Sequence, residues 1–272
     1  MIAALRCPLC HKPLEPAGSN LRCAAGHSFD VAKQGYVHLG TGKKLPEGDT
    51  AQMIEARSAF LAKGHFAPLQ TALAATAPAG LIVDLGAGPG HYLAAILEEH
   101  ENAQGIAFDV SKPALKRAAR AHPRAGAVLA DTWGELPLAD DSVDVLLNIF
   151  APRNGVQMRR VLRPDGLLIV VTPEQDHLIE LREELGLLTV DESKQERLSN
   201  TLRDFVMDQD NRIRWQMQLS AEDAEQLVAM GPNAFHGRAK SPRNLAVTGS
   251  VRLSTWKGRP LPNPRADRDA AQ

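Results

Sequence analysis

The chain has 272 residues, 44% of them hydrophobic and 23% charged, with a formal net charge of −1. This length holds one substantial α/β core plus a small appended module, and the composition excludes broad disorder. Near-zero charge excludes a molecule that is cationic all over, and the longest apolar run, LLIVVTP at 167–173, is far short of a bilayer crossing.

The first segment, MIAALRCPLC, carries no signal-peptide h-region, so a cytoplasmic location without membrane association is expected. All three cysteines of the chain, Cys7, Cys10 and Cys23, lie in this N-terminal stretch, and His27 follows. A C-x2-C pair followed by a Cys/His pair supplies two knuckles and four ligands for tetrahedral zinc. Four protein ligands leave no open position, which points to structural rather than catalytic zinc. His11 is an alternative fourth ligand, poorly placed beside Cys10, and a redox C-x-x-C is the competing reading of the thiols. Residues 1–44 carry six Lys/Arg against two acids, while the remainder carries 25 against 30. That division brings one end towards a polyanion, with ordinary solvated surface as the alternative. GYVHLGTGKKLPEGDT (35–50) reads as a connector, which places a boundary near residue 45.

Thr50 or Asp49 can cap a helix in which Met53, Ile54, Phe60 and Leu61 recur at helical spacing, and a shorter helix leads to Pro78. From there strand-length apolar runs alternate with amphipathic helices as far as GLLIVVTP, the pattern of a parallel, doubly wound α/β sheet. In VDLGAGPGHY the glycines Gly86, Gly88 and Gly90, with Pro89, stand between the first strand and a helix, where a ligand can approach the backbone. A nicotinamide fingerprint needs glycine where this chain has His91, and Asp84 beside the turn would repel a pyrophosphate. The same carboxylate attracts an ammonium or sulfonium, which suits S-adenosylmethionine. Asp109 ends the second strand, where a carboxylate accepts ribose hydroxyls, and Asp131 closes the third, where it can accept the adenine amino group.

LNIFAPRN (147–154) ends the fourth strand, where the methyl acceptor belongs. It lacks the Asn/Asp-Pro-Pro-aromatic signature of exocyclic-amine methylation, and the absence of cysteine after Cys23 argues against pyrimidine carbon-5 chemistry. A ring nitrogen or oxygen acceptor remains, and the sequence identifies no catalytic base. Asn148 suits strand-end hydrogen bonding. Phe150 is expected to pack in the core, with stacking on an extruded base as the alternative. Arg153, Arg159, Arg160 and Arg163, with Lys112, Lys116, Arg117, Arg120 and Arg124, read as solvated helix faces, phosphate contact being the alternative for the first group. Further on, NRIRWQMQLS and AVTGSVRLSTW have strand patterns, SAEDAEQLVAM is a helix capped by Ser220, and residues 261–272 read as a flexible tail.

The Cys3His module running into HSFDVAKQGYVHL, then MIEARSAFLAKGHFAPL, VDLGAGPGHYLAAILEE, DVSKPALKRAARAHP, NIFAPRN and VTPEQDHLIEL together resemble the RlmA (RrmA) family of 23S rRNA guanine-N1 methyltransferases. The resemblance runs from Cys7 to about Met230 and is strongest to the tylosin-resistance (TlrB) branch, through DVSKPA, RAARAHPRA, FAPRN and VAMGP. It implies a Rossmann-like methyltransferase domain (46–260) behind a zinc-binding RNA-recognition module and linker (1–45). It also implies a 23S rRNA hairpin loop in domain II as partner, N1-methylguanine as product (748 type rather than 745 type), and a link to macrolide resistance. Family zinc ligands fall on Cys7, Cys10, Cys23 and His27. Cofactor contacts fall on Gly88 to His91, on His177, and on Phe66, where some members have tyrosine. A homodimer is left open. The competing readings are a small-molecule methyltransferase and a non-catalytic zinc/RNA-binding protein that retains S-adenosylmethionine.

Overall fold

The computed structural model describes residues 1–42, 44–185, 194–231 and 243–259, with the side chains of 194–197 excepted. The expected tail at 261–272 lies outside the described residues. In chain order the elements are β1 (Leu14–Ala17), β2 (Asn20–Cys23), β3 (Ser28–Asp30), β4 (Tyr36–His38), α1 (Ala51–Ala62), α2 (Ala67–Thr76), β5 (Leu81–Leu85), α3 (His91–Glu99), β6 (Gln104–Asp109), α4 (Lys112–Ala118), β7 (Ala125–Leu129) and β8 (Val143–Ile149). There follow α5 (Gly155–Val161), β9 (Leu162–Pro173), α6 (Ile179–Leu185), α7 (Lys194–Thr201), β10 (Phe205–Leu219), α8 (Ala221–Ala229) and β11 (Leu245–Gly258).

Helix starts follow their capping residues. Thr50 Oγ1 accepts from Met53 N at 3.2 Å, Ser111 and Asn154 do the same for α4 and α5, and Ser220 with Asp223 forms a reciprocal capping box on α8. Strands β5 to β9 are almost continuously apolar because both of their faces are covered. The period-2 pleat sends Ile82, Ala107, Leu147 and Ile169 into one apolar cluster and Val83, Ile106, Leu146 and Val170 into the other.

The large sheet has the order β10-β11-β9-β8-β5-β6-β7-β4. From β4 to β9 every pairing is parallel, as the sequence pattern leads one to expect, whereas β11 and β10 add antiparallel to β9 and make the sheet mixed. Chain order reverses beside β5, so a crevice opens at the carboxyl ends of β5 and β8, where doubly wound sheets bind ligands. Within the expected connector, Tyr36–His38 forms β4 and pairs with β7 at the edge of this sheet.

The N-terminal module is a three-stranded antiparallel sheet, β1-β2-β3. Too small for a core of its own, it adds Leu5, Cys7, Leu14 and Leu21 to the cluster that holds Val83, Leu85 and Leu138. Backbone bonds fasten it to the segment after β7: Leu5 bridges Leu138, Arg6 N donates to Pro137 O at 2.9 Å, and Ala139 N donates to Ala4 O at 2.8 Å.

Candidate functional site

Two groups of candidate residues assemble. In the N-terminal module the ligand atoms of Cys7, Cys10, Cys23 and His27 lie within 4.8 Å of one another. The Cys7–His27 and Cys23–His27 separations to Nδ1 are 3.4 and 3.5 Å, and Cys10 and Cys23 Sγ are 3.6 Å apart. Tetrahedral zinc with bonds of roughly 2.0–2.3 Å has ligand-to-ligand edges of about 3.6–3.8 Å, so the four atoms fit the ion. Burial pushes the Cys7 thiol up; at Cys23 burial is outweighed by backbone hydrogen bonding at Ala25 and by Cys10, which hold that thiol down at about 6. His11 turns away from the cluster, in a left-handed backbone conformation, to meet Glu135 at 3.3 Å.

At the carboxyl end of β5, the glycine turn adopts the backbone its sequence requires. Gly90 has φ +80° at the N-cap of α3, and a Cβ there would sit 3.0 Å from Ala118 Cα in α4. Gly86, at φ +78°, would bring a Cβ within 2.6 Å of Ala151 Cβ, so the turn and the FAPRN loop are in direct apposition. Pro89 between them is half-buried. Asp84 is 1% exposed and its Oδ2 has no hydrogen-bond partner among the described residues. Burial, with Asp109 as the second cause, raises its carboxyl to about 7. An orphaned buried carboxylate oxygen beside a glycine turn fits a cationic ligand group and explains an otherwise costly arrangement.

Asp109 accepts from Gly88 N and from Ser111 N, each at 2.8 Å, leaving lone pairs on both oxygens for hydroxyl donors. Burial raises its pKa against those two donors. Asp131 accepts from Trp133 N at 2.9 Å. These three acids end β5, leave β6 and follow β7, neighbouring strands of one sheet. Burial lowers the pKa of His91, opposed by a hydrogen bond at the Leu61 backbone, and its Nε2 has no partner among the described residues.

Phe66 and His177 come together from distant parts of the chain. The His177 ring lies edge-on to Phe66 at 6.2 Å and stacked on Phe150 at 6.0 Å, while its Nδ1 accepts from Ser250 N. Phe66 is buried, with Trp215 edge-on at 5.2 Å. Phe150 corrects an expectation: it is 42% exposed, at φ +54°, rather than packed in the core. The turn that carries the chain off β8 towards Gly86 throws its ring outwards. Asn148 is buried and donates from Nδ2 to Pro152 O at 2.8 Å, the strand-end role expected of it, while its Oδ1 has no partner among the described residues. Arg153 is half-buried, burial depresses its pKa, and its Nε has no partner among them either.

Lys112, Lys116 and Arg117 on α4 and Arg120 just past it are exposed, the solvated face expected of them, whereas the remaining arginines are engaged within the fold. Arg159 is buried and donates to Arg259 O, Arg160 clamps Leu136 O and Leu138 O, Arg163 pairs with Asp144, and Arg124 donates to the carbonyls of Leu97, His100 and Ala103. Sequence reasoning passed over Trp133 and Arg57. Trp133 is 59% exposed although its backbone is pinned by Asp131 and by Asn154, whose Nδ2 donates to Trp133 O at 2.6 Å. A lone tryptophan two residues past a strand-end aspartate was the available signal. Arg57 lies over the glycine turn, and nothing in its helical spacing marked it.

Comparison with known proteins agrees with this geometry. A zinc-ribbon family model described as "RlmA, N-terminal" matches residues 5–40, and a methyltransferase-domain model matches residues 82–166. The chain is 48% identical to the 23S rRNA (guanine(748)-N(1))-methyltransferase of Streptomyces fradiae, over 90% of each chain. It is also 48% identical to a Micromonospora griseorubida protein provisionally named a 23S rRNA (guanine-N(1)-)-methyltransferase, covering 94% of this chain and 98% of that one. Among solved structures, a chain of the complex between the Haloferax volcanii Trm112 methyltransferase activator and a methyltransferase superposes with a TM-score of 0.51 at 19% identity, over 76% of this chain and 95% of that one. At such identity the likeness concerns the fold alone.

Proposed function

The chain belongs to the RlmA family of 23S rRNA guanine-N1 methyltransferases, and from that premise we propose that it methylates N1 of a guanine in a hairpin loop of 23S rRNA domain II, at the 748 type of position. It is an S-adenosylmethionine-dependent enzyme with a structural zinc site. Among the described residues no helix is long and apolar enough to cross a membrane. Because the proposed substrate is ribosomal RNA, this reading puts the reaction in the cytoplasm. In this reading residues 1–45 recognise RNA and residues 46–260 carry out the transfer.

When bound, S-adenosylmethionine supplies an electrophilic methyl group and departs as S-adenosylhomocysteine. The chain's part is to hold the donor and prepare the acceptor. Asp84 would receive the donor's positive charge, Asp109 and Asp131 would accept from its ribose and adenine, and Gly86 to His91 would give it backbone access, with Phe66 and His177 offering apolar contact. Guanine N1 carries a proton near neutral pH, and that proton leaves before or during attack. Arg153, half-buried and with no partner for its Nε among the described residues, would stabilise the negative charge that then develops on the guanine O6. Phe150, exposed beside Gly86's neighbour Ala151, offers a face on which an extruded guanine can stack.

The observation that carries the RNA reading is the fastening of the zinc ribbon to the segment that follows Asp131, through Leu5–Leu138, Arg6–Pro137 and His11–Glu135. A recognition module so joined holds a fixed position relative to the methyl-transfer site. The test is incubation with methyl-labelled donor and a 23S hairpin transcript, followed by mapping of reverse-transcriptase stops. Label with a stop at a loop guanine is expected. Label without a stop would move the reaction to another atom, and no label would favour a binding protein. We infer tylosin-like resistance from the same product: expression in a sensitive bacterium should raise tylosin tolerance, and unchanged tolerance with a methylated guanine would separate the two.

A further inference from the structure

The N-terminal end of α1 forms one wall of the glycine-turn site. Asp49 O accepts from Ser111 Oγ at 2.7 Å, and a Cβ on Gly48 would sit 2.9 Å from Ser111 N, which fixes this segment against the Asp109–Ser111 turn. Two helical turns on, Arg57 returns to the same place. Its Nη1 is 2.6 Å from Asp49 Oδ2, its Nη2 donates to Met230 O at 2.7 Å, and a Cβ on Gly88 would lie 3.2 Å from that Nη1.

Three carboxylates, Asp49, Asp84 and Asp109, therefore surround a turn on which a guanidinium is laid. The donor carries two positive groups, a sulfonium and an α-ammonium, and one negative group, an α-carboxylate. An acidic site attracts the first two and repels the third unless a fixed cation receives it. A guanidinium has five N–H donors in a planar fork that matches a carboxylate, and Asp49 and Met230 O hold this fork in place without using all of them.

We propose that Arg57 receives the α-carboxylate of the donor's methionine moiety while Asp84 receives its α-ammonium, so that Gly88 lies in a subsite reading both ends of an amino acid. The inference rests on S-adenosylmethionine being the cofactor and names the residue that discriminates it from nucleosides lacking the amino-acid part. Asp49 acts as a positioning residue through Arg57.

The test is calorimetric titration of the full chain with two probes, S-adenosylhomocysteine and 5′-methylthioadenosine, which share the nucleoside and thioether but differ in the amino-acid part. Arg57→Ala should weaken S-adenosylhomocysteine by roughly 10- to 100-fold and leave 5′-methylthioadenosine within about threefold. Arg57→Lys should recover part of the loss, since it restores charge without the fork. Equal weakening of both probes would make Arg57 a structural strut and overturn the proposal. Should the alanine variant fail to fold, Arg57→Gln, which keeps a donor for Met230 O, is judged by the same ratio. A wild-type chain that binds neither probe would overturn the cofactor reading itself, and this proposal with it.

Discussion

The zinc cluster and the glycine turn assemble polar atoms in opposite ways. In the cluster, four ligand atoms from a 21-residue segment converge within 4.8 Å, a closed set that one ion completes. At the turn and the loop facing it, Asp84 Oδ2, His91 Nε2, Asn148 Oδ1 and Arg153 Nε are all buried without partners among the described residues. Buried polar groups are nearly always paired, and these four fit a site that a larger, asymmetric ligand would complete. A closed set builds a module, and an open one awaits chemistry.

Breaking the closed set should have the largest effect. Zinc contributes on the order of 10 kcal/mol or more to folding small zinc modules, so Cys23→Ala should dissolve the ribbon's geometry. RNA affinity is expected to fall by more than about 100-fold while S-adenosylhomocysteine affinity stays within about threefold, read by filter binding and calorimetry. Comparable loss of both would mean that the ribbon supports the whole fold, through the cluster that Leu14 and Leu21 share with Val83 and Leu85.

Breaking the open set comes next. Asp84→Asn keeps the shape and removes the charge, and should weaken the cofactor by roughly 30- to 100-fold, since a charge-assisted bond is worth about 1.5–3 kcal/mol. The wild-type pH dependence has a fixed sign. The Asp84 carboxyl sits at about 7, and a cation binds only its ionised form. Affinity should hold above about pH 8 and fall by up to about tenfold per unit below 7, while the asparagine variant stays flat over that range. A parallel fall in the variant would assign the proton to another group. Smaller again, Arg153→Ala should slow single-turnover methylation by roughly 10- to 100-fold without changing cofactor affinity, and an unchanged rate would remove Arg153 from the acceptor chemistry.

Sequence spacing revealed the features whose logic is local. Cys7, Cys10, Cys23 and His27 are close in the chain, and Asp84, Asp109 and Asp131 stand at recurring strand ends, so their convergence follows once the alternation of strand and helix is read. Features decided by distant packing stayed hidden. β4 is a three-residue strand between glycines that gains its identity only from β7, about ninety residues later. Arg57 resembles any polar residue of an amphipathic helix until Gly88 is folded beneath it. Arg159 and Arg160 resemble a solvated face because their carbonyl partners, Arg259, Leu136 and Leu138, leave no trace in a sequence. The antiparallel β10 and β11 were legible as strands, but their order in the sheet was not.

Phe150 carries the smallest and most discriminating effect, because the open set there includes backbone strain. A side chain at φ +54° costs roughly 1–2 kcal/mol relative to the ordinary right-handed region, and glycine escapes that penalty. Both Phe150→Gly and Phe150→Ala remove the ring, so both should lower kcat/KM for the RNA by about tenfold, in line with about 1–3 kcal/mol for a stacked base. They should differ in stability. Alanine retains the left-handed penalty and glycine does not, so the glycine variant should be the more stable by about 1 kcal/mol in denaturant unfolding, even after its larger chain entropy is counted. If alanine matches or exceeds glycine, the turn relaxes once the ring is gone, and the strain belongs to the Phe150–His177 contact. If glycine wins while methylation falls equally in both, the strained turn is a fixed feature of the loop and the exposed ring is what the RNA reads.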